Sequence, residues 1–129
     1  MNDQVSFIFP AKTEYISAIR LATSGVACNV DFDLGKIEDI KSCIAEACIL
    51  LMCAQTCESL SILLECNGEI RAHVSAVGAT RVSPGEECVE FNSELSKIMI
   101  EALSEDVSFV RHDDVLREVD FVVRKDSEA

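Results

Sequence analysis

The stretch EACILLMCAQ, residues 46–55, opens on a carboxylate, Glu46, and carries no further charge through Gln55. A carboxylate at the head of an apolar run can act as a general base, because burial raises its affinity for a proton, provided a substrate is held against it. The same residues can also be the polar end of a core helix. Thiols are the second chemistry on offer, with Cys43, Cys48, Cys53 and Cys57 close together in the chain. At roughly 3.6 residues per turn, Cys43, Cys53 and Cys57 share one side of a helix and Cys48 faces away. Three helical thiols without a nearby histidine fall short of the four convergent ligands that zinc usually takes, so no metal ligands are assigned. An odd number of cysteines, seven, without CxxC spacing, reads instead as buried, reduced thiols. His73 alternates onto the wet side of a strand and His112 falls at a strand end. Neither completes a Ser/His/Asp or Cys/His arrangement, and both are expected at the surface.

Positioning such groups requires a folded scaffold, and 129 residues that are 49% hydrophobic suffice for one globular domain over residues 1–129. The net charge of -12 disfavours direct contact with nucleic acid or an anionic membrane surface, since both need a basic face. It suits a basic protein partner. No stretch approaches the ~20 apolar residues that span a bilayer. The opening MNDQVSFIFPAK lacks a basic segment and a small-residue cleavage site, so a cytoplasmic location is expected.

VSFIF (5–9), closed by Pro10, reads as a first strand. TEYISAIRLATSGVACNV places Tyr15, Ile19, Ala22 and Val26 on one helical stripe, with Thr13 as the expected N-cap. After a turn at 31–35, Asp33 can cap a second helix whose buried face is Ile37, Ile40, Ile44, Cys48 and Leu51. SLSILLEC and EIRAHVSAV follow as a hairpin around Asn67–Gly68, with Ile70, Ala72, Val74 and Ala76 inward and Arg71, His73 and Ser75 outward. Residues 78–90 read as a loop. NSELSKIMIEAL gives a third helix, capped by Asn92 or Ser93, with Leu95, Ile98, Met99, Ala102 and Leu103 on its apolar face. VSFVRH and VLREVDFVVR, joined at Asp113–Asp114, complete the order β–α–α–β–β–α–β–β. This order predicts an α+β two-layer sandwich: a mixed, mostly antiparallel five-stranded sheet with three helices on one face.

That order, together with FPAKTEYISAIRLATSGVA, IEDIKSCIAEAC and a shorter EALSEDV match, resembles the anti-sigma factor serine kinases of the GHKL ATPase superfamily, and so implies the histidine-kinase-like ATPase fold. In that family the second helix carries a Glu-Ala-x-x-Asn motif, whose glutamate is the base and whose asparagine holds the magnesium ion on the nucleotide phosphates. The resemblance puts Glu46 at the base position and Leu50 at the asparagine. Leucine has no lone pair, and magnesium demands oxygen ligands. The family's Asp-x-Gly box, whose aspartate reads adenine, is matched by Ala76 and Gly78. Its glycine-rich phosphate turn is matched by Glu94 and Ser96, and Glu94 would set a negative charge beside the phosphates. The chain has only five glycines and no GxG pattern to restore that turn. Too few residues separate Val77 from the third helix for a long nucleotide lid.

The resemblance therefore implies a kinase fold that has stopped binding ATP in the family manner. Glu46, Leu50, Cys53 and Cys57 are expected along the side of helix 2 that would have faced the nucleotide, now filled by protein, with no cofactor. Glu46 is then a remnant or structural carboxylate. By the same resemblance, partners are a sigma factor or an anti-sigma-antagonist domain, and a homodimer is expected. The partner face includes Arg20, taken as exposed on the first helix, with Glu14 and Lys12 flanking the helix start. Two other functions compete: an active serine/threonine kinase using ATP and magnesium through unusual contacts, and a redox or metal sensor built on the helix-2 thiols.

Overall fold

The computed structural model describes residues 2–78 and 93–125. Strand β1 (Asp3–Pro10) leads through a 3₁₀ turn (Thr13–Tyr15) into helix α1 (Ile16–Ala27). A second 3₁₀ turn (Cys28–Val30) precedes helix α2 (Leu34–Ala54), and the hairpin β2 (Ser59–Cys66) and β3 (Glu69–Val77) follows. Helix α3 (Ser93–Leu103) and the hairpin β4 (Glu105–His112) and β5 (Val115–Arg124) end the described chain. The sequence-based loop over 78–90 lies, apart from Gly78, outside the described residues, as does Asn92.

The five strands form one sheet in the order β1-β2-β3-β5-β4. Every neighbouring pair is antiparallel, so the sheet is not mixed as the element order suggested. Two hairpins account for two of these pairs. Gly68 supplies φ 69° at one turn, and Asp113 and Asp114 adopt φ 52° and 64° at the other. Aspartate is among the few side chains that tolerate the left-handed region there.

Alternation along the strands gives the sheet one dry face. Leu60, Ile62 and Leu64 of β2, Ile70, Ala72 and Val74 of β3, and Val119, Phe121 and Val123 of β5 are all buried. Register stacks them in rows, with Ile62 opposite Val74, Val74 opposite Val119, and Ala72 opposite Phe121. Helix α2 lies on this face, packed against β3 and β5 and flanked by α1 and α3. Its start is fixed by Asp33, whose side chain accepts a hydrogen bond from the Lys36 N–H at 2.8 Å. Ile37, Ile40, Ile44, Cys48 and Leu51 are buried as expected, and so are Cys43, Ala45, Ala47 and Leu50 on other sides of the helix. A helix apolar around most of its circumference belongs in the middle of a core.

The two outer helices are rotated from their expected faces. In α1 the buried line is Ile19, Thr23 and Ala27, while Tyr15 is 37% exposed. Thr23 packs as an apolar residue because its hydroxyl donates to the Ile19 carbonyl at 2.9 Å. Thr13 caps nothing: it lies in the 3₁₀ turn, and Tyr15 precedes α1 without a side-chain cap. In α3 the buried residues are Ser96 and Ile100, whereas Leu95 and Ile98 are 54% and 60% exposed and Ala102 is exposed. Counting Ser96 as polar set the apolar face one residue away from the buried one. No described helix is long and apolar enough to cross a membrane.

Candidate functional site

Glu46 sits midway along α2 between the buried Ala45 and Ala47 and is itself half-buried. Its Oε2 accepts a hydrogen bond from the Ser96 hydroxyl at 2.5 Å. Ser96, only 3% exposed, projects from the first turns of α3, so this bond ties the two helices together. A hydrogen bond to an ionised carboxylate is short and about twice as strong as a neutral one. One helical turn past Glu46, Leu50 is 3% exposed and part of the core. The pairing of Glu46 with Ser96 is not readable from either position alone.

Ala76 lies opposite Leu60 on the helix side of β3, half-buried and packed on the core. Gly78, at the end of that strand, has φ 98°, and a Cβ there would come within 2.7 Å of the Glu58 side chain. Backbone conformation and this contact are enough to require glycine. Glu94 does not join the group. Its side chain is 76% exposed and pairs with Lys97 on the same helix at 3.6 Å. The structure thus brings Glu46 and Ser96 together, buries Leu50 on the same helix, and leaves Glu94 outside. Glu46 and Ser96 offer a carboxylate engaged by a hydroxyl; neither they nor Leu50 forms part of a metal-type cluster among the described residues. A surface depression of about 350 Å³ lies elsewhere, lined by Asp3, Val5, Asn29 and Asp31 among others.

The thiols divide by environment. Burial pushes the Cys43 and Cys48 thiols up to about 12, keeping both protonated. Cys57 lies beyond the end of α2 and so is not on the helix face with Glu46 and Leu50, as its spacing suggested. Burial raises its pKa too. Cys53 corrects the expectation of uniformly reduced cysteines, because it is disulfide-bonded. Spacing along the helix carries no signal for a disulfide. Cys28 is exposed. Native-state labelling with a thiol reagent should therefore modify Cys28 first, leave Cys43 and Cys48 silent, and reach Cys53 only after reduction. Peptide mapping by mass spectrometry reads the order; fast labelling of Cys43 and Cys48 would contradict a packed α2.

Arg20, on α1, is half-buried rather than exposed. Glu14 and Lys12 are exposed at the turn before that helix.

Two groups escaped the sequence reading. Gln55, just after α2, is 1% exposed; its Nε2 donates to the Leu116 carbonyl at 2.5 Å and its Oε1 accepts from Arg117. His73 is not a free surface histidine. Its Nδ1 is 2.8 Å from Asp120 and its Nε2 is 2.6 Å from Glu65. Burial alone would lower its pKa, but the hydrogen bonds to Asp120 and Glu65 outweigh it and hold the pKa above the ordinary value. Sheet register carried the missing signal, since Asp120 lies directly opposite His73.

Three helices packed with a five-stranded antiparallel sheet in this order are consistent with the histidine-kinase-like ATPase fold. The chain carries partial homology to the anti-sigma factor serine kinases of the GHKL type. It is 45% identical over 51 residues to the serine-protein kinase RsbW of Bacillus pumilus (strain SAFR-032), covering 37% of this chain and 32% of that protein. Identity to RsbW of Listeria monocytogenes serotype 4a is 43% over 47 residues, covering 36% and 30%. To RsbW of Bacillus licheniformis it is 41% over 46 residues, covering 36% and 29%. The matched stretch spans about a third of the length of these curated relatives. No protein-family model matches the chain.

Proposed function

We propose that this chain is an anti-sigma-factor-like regulator, a pseudokinase that holds a sigma factor or an anti-sigma-antagonist domain without ATP chemistry. The observation that carries this reading is the bond between Glu46 and Ser96 beside a buried Leu50. A general base must be free to take a proton from a held substrate, and magnesium needs an oxygen ligand where Leu50 stands. The partial homology to RsbW supports the regulatory setting. A net charge of -12 suits a partner with a basic surface. In this reading the protein acts as a cytoplasmic homodimer, with no cofactor and no direct nucleic-acid or membrane contact. Arg20 and Glu14, at the N-terminal part of α1, contribute to the partner face. Function at a protein surface can outlast chemistry at a cleft, since site and fold are separable.

The second reading, an active serine/threonine kinase with atypical ATP and magnesium contacts, is favoured by one observation: a glutamate stands at Glu46.

The test is a nucleotide-free pull-down against the sigma factors and antagonist domains of the host, followed by titration of the captured partner. Arg20→Ala should weaken the complex by about 1 kcal/mol or more, as expected for an interfacial arginine anchor. Because Arg20 is half-buried, the variant's unfolding free energy is expected to fall by up to about 1 kcal/mol, measured beside the titration so that lost folding is not read as lost affinity. Capture of no such partner removes the function; equal affinity in the variant removes Arg20 from the interface.

A further inference from the structure

The face of the sheet turned away from the helices carries a cluster that the kinase resemblance does not involve. On β3 and β5, His73 lies directly opposite Asp120, and Glu118 lies opposite Ser75, two residues along the same face. One ligand atom from each of His73, Asp120 and Glu118 falls within 4.8 Å of the other two, and all three residues are half-buried. We propose that His73, Asp120 and Glu118 form a binding site for a divalent transition-metal cation of the zinc class, with Glu65 positioning the histidine.

Three features carry this. The first is donor chemistry: one imidazole nitrogen and two carboxylates suit zinc, cobalt or nickel, whereas magnesium favours oxygen alone. The second is geometry. Tetrahedral zinc with bonds of about 2.0–2.2 Å sets its ligands roughly 3.3 Å apart. His73 Nδ1 and Asp120 Oδ1 stand 2.8 Å apart and all three ligand atoms lie within 4.8 Å of one another, so the first pair opens by about 0.5 Å and Glu118 adjusts within that span to take the ion. Both strands lie within the sheet rather than at its edges, which holds the donors on rigid backbone. The third is the fourth group. Glu65 Oε1 lies 2.6 Å from Nε2, the outer carboxylate contact that metal-bound histidines usually make. It fixes the proton on Nε2 and directs the lone pair of Nδ1 at the metal.

Glu65 and Asp120 occupy both ring nitrogens of His73, and Glu118 shares a hydrogen bond with Asp120, so two carboxylates and the imidazole converge at one point. A dication uses all three donors. Binding releases the Nδ1 proton to solvent and leaves a fourth coordination position for water or a group on a partner. The net charge of -12 raises the local concentration of cations around the protein. This site does not depend on the partner reading above.

The test is titration of the whole chain with cobalt(II), read by its visible d–d absorption, with zinc added as competitor. One cobalt per chain is expected, displaced by zinc, without a thiolate charge-transfer band. His73→Gln and Glu118→Gln should each weaken binding at least about tenfold. Both should melt as a single transition like the parent, and a failed His73→Gln leaves Glu118→Gln to decide. Lack of saturation at about millimolar cobalt, a thiolate band, or parent affinity in Glu118→Gln would each overturn the site.

Discussion

Leu50→Asn should destabilise this protein by about 3–5 kcal/mol. Removing most of a buried leucine's packing typically costs about 2–5 kcal/mol, of which the asparagine side chain recovers part. An amide left without partners adds about 1–3 kcal/mol. Leu50 is 3% exposed on a helix buried around most of its girth, so neither solvent nor relaxation relieves these penalties. Urea unfolding of parent and variant measures the difference. A loss below about 0.5 kcal/mol would place Leu50 in solvent and reopen the side of α2 next to Glu46. The substitution restores, by resemblance, the residue that holds magnesium in the kinases, so the same experiment reports how far this helix has been committed to the core.

Gln55→Leu is expected to cost about 2–4 kcal/mol, although the two side chains are similar in size. Gln55 is 1% exposed and serves two masters across the fold, donating to the Leu116 carbonyl and accepting from Arg117. Leucine leaves a buried carbonyl without this donor and removes a hydrogen bond to a charged group, worth about 1.5–3 kcal/mol. The bonds join the end of α2 to β5, so loss should also speed hydrogen exchange at both. Thermal unfolding and amide exchange measure the two effects; an unchanged melting temperature would mean that these bonds are matched by water in the variant.

The element order was legible because its boundaries rest on local chemistry. Asp33 caps α2, Asn67–Gly68 turns one hairpin, and Asp113–Asp114 turns the other. Helix faces were less legible where a polar residue is buried with its own partner. Thr23 satisfies its hydroxyl within its helix, and Ser96 reaches Glu46, fifty positions away, so hydropathy set both faces wrongly. His73 illustrates a different limit. Alternation placed it on the outward face correctly, but its meeting with Asp120 and Glu65 depends on strand register. The resemblance singled out Glu46, Leu50 and Ser96 one box at a time; the hydrogen bond between two of them is a tertiary fact. Cys53 likewise could not be told from its neighbours by spacing, which carries no signal for a disulfide.

Magnesium–ATP binding, measured by isothermal titration calorimetry on the purified chain, bears most directly on whether the cleft beside Glu46 has closed. With Leu50 buried and Glu46 engaged by Ser96, no saturable heat is expected. Saturable, magnesium-dependent binding with a micromolar dissociation constant, about -8 kcal/mol, would contradict it and point to an active kinase.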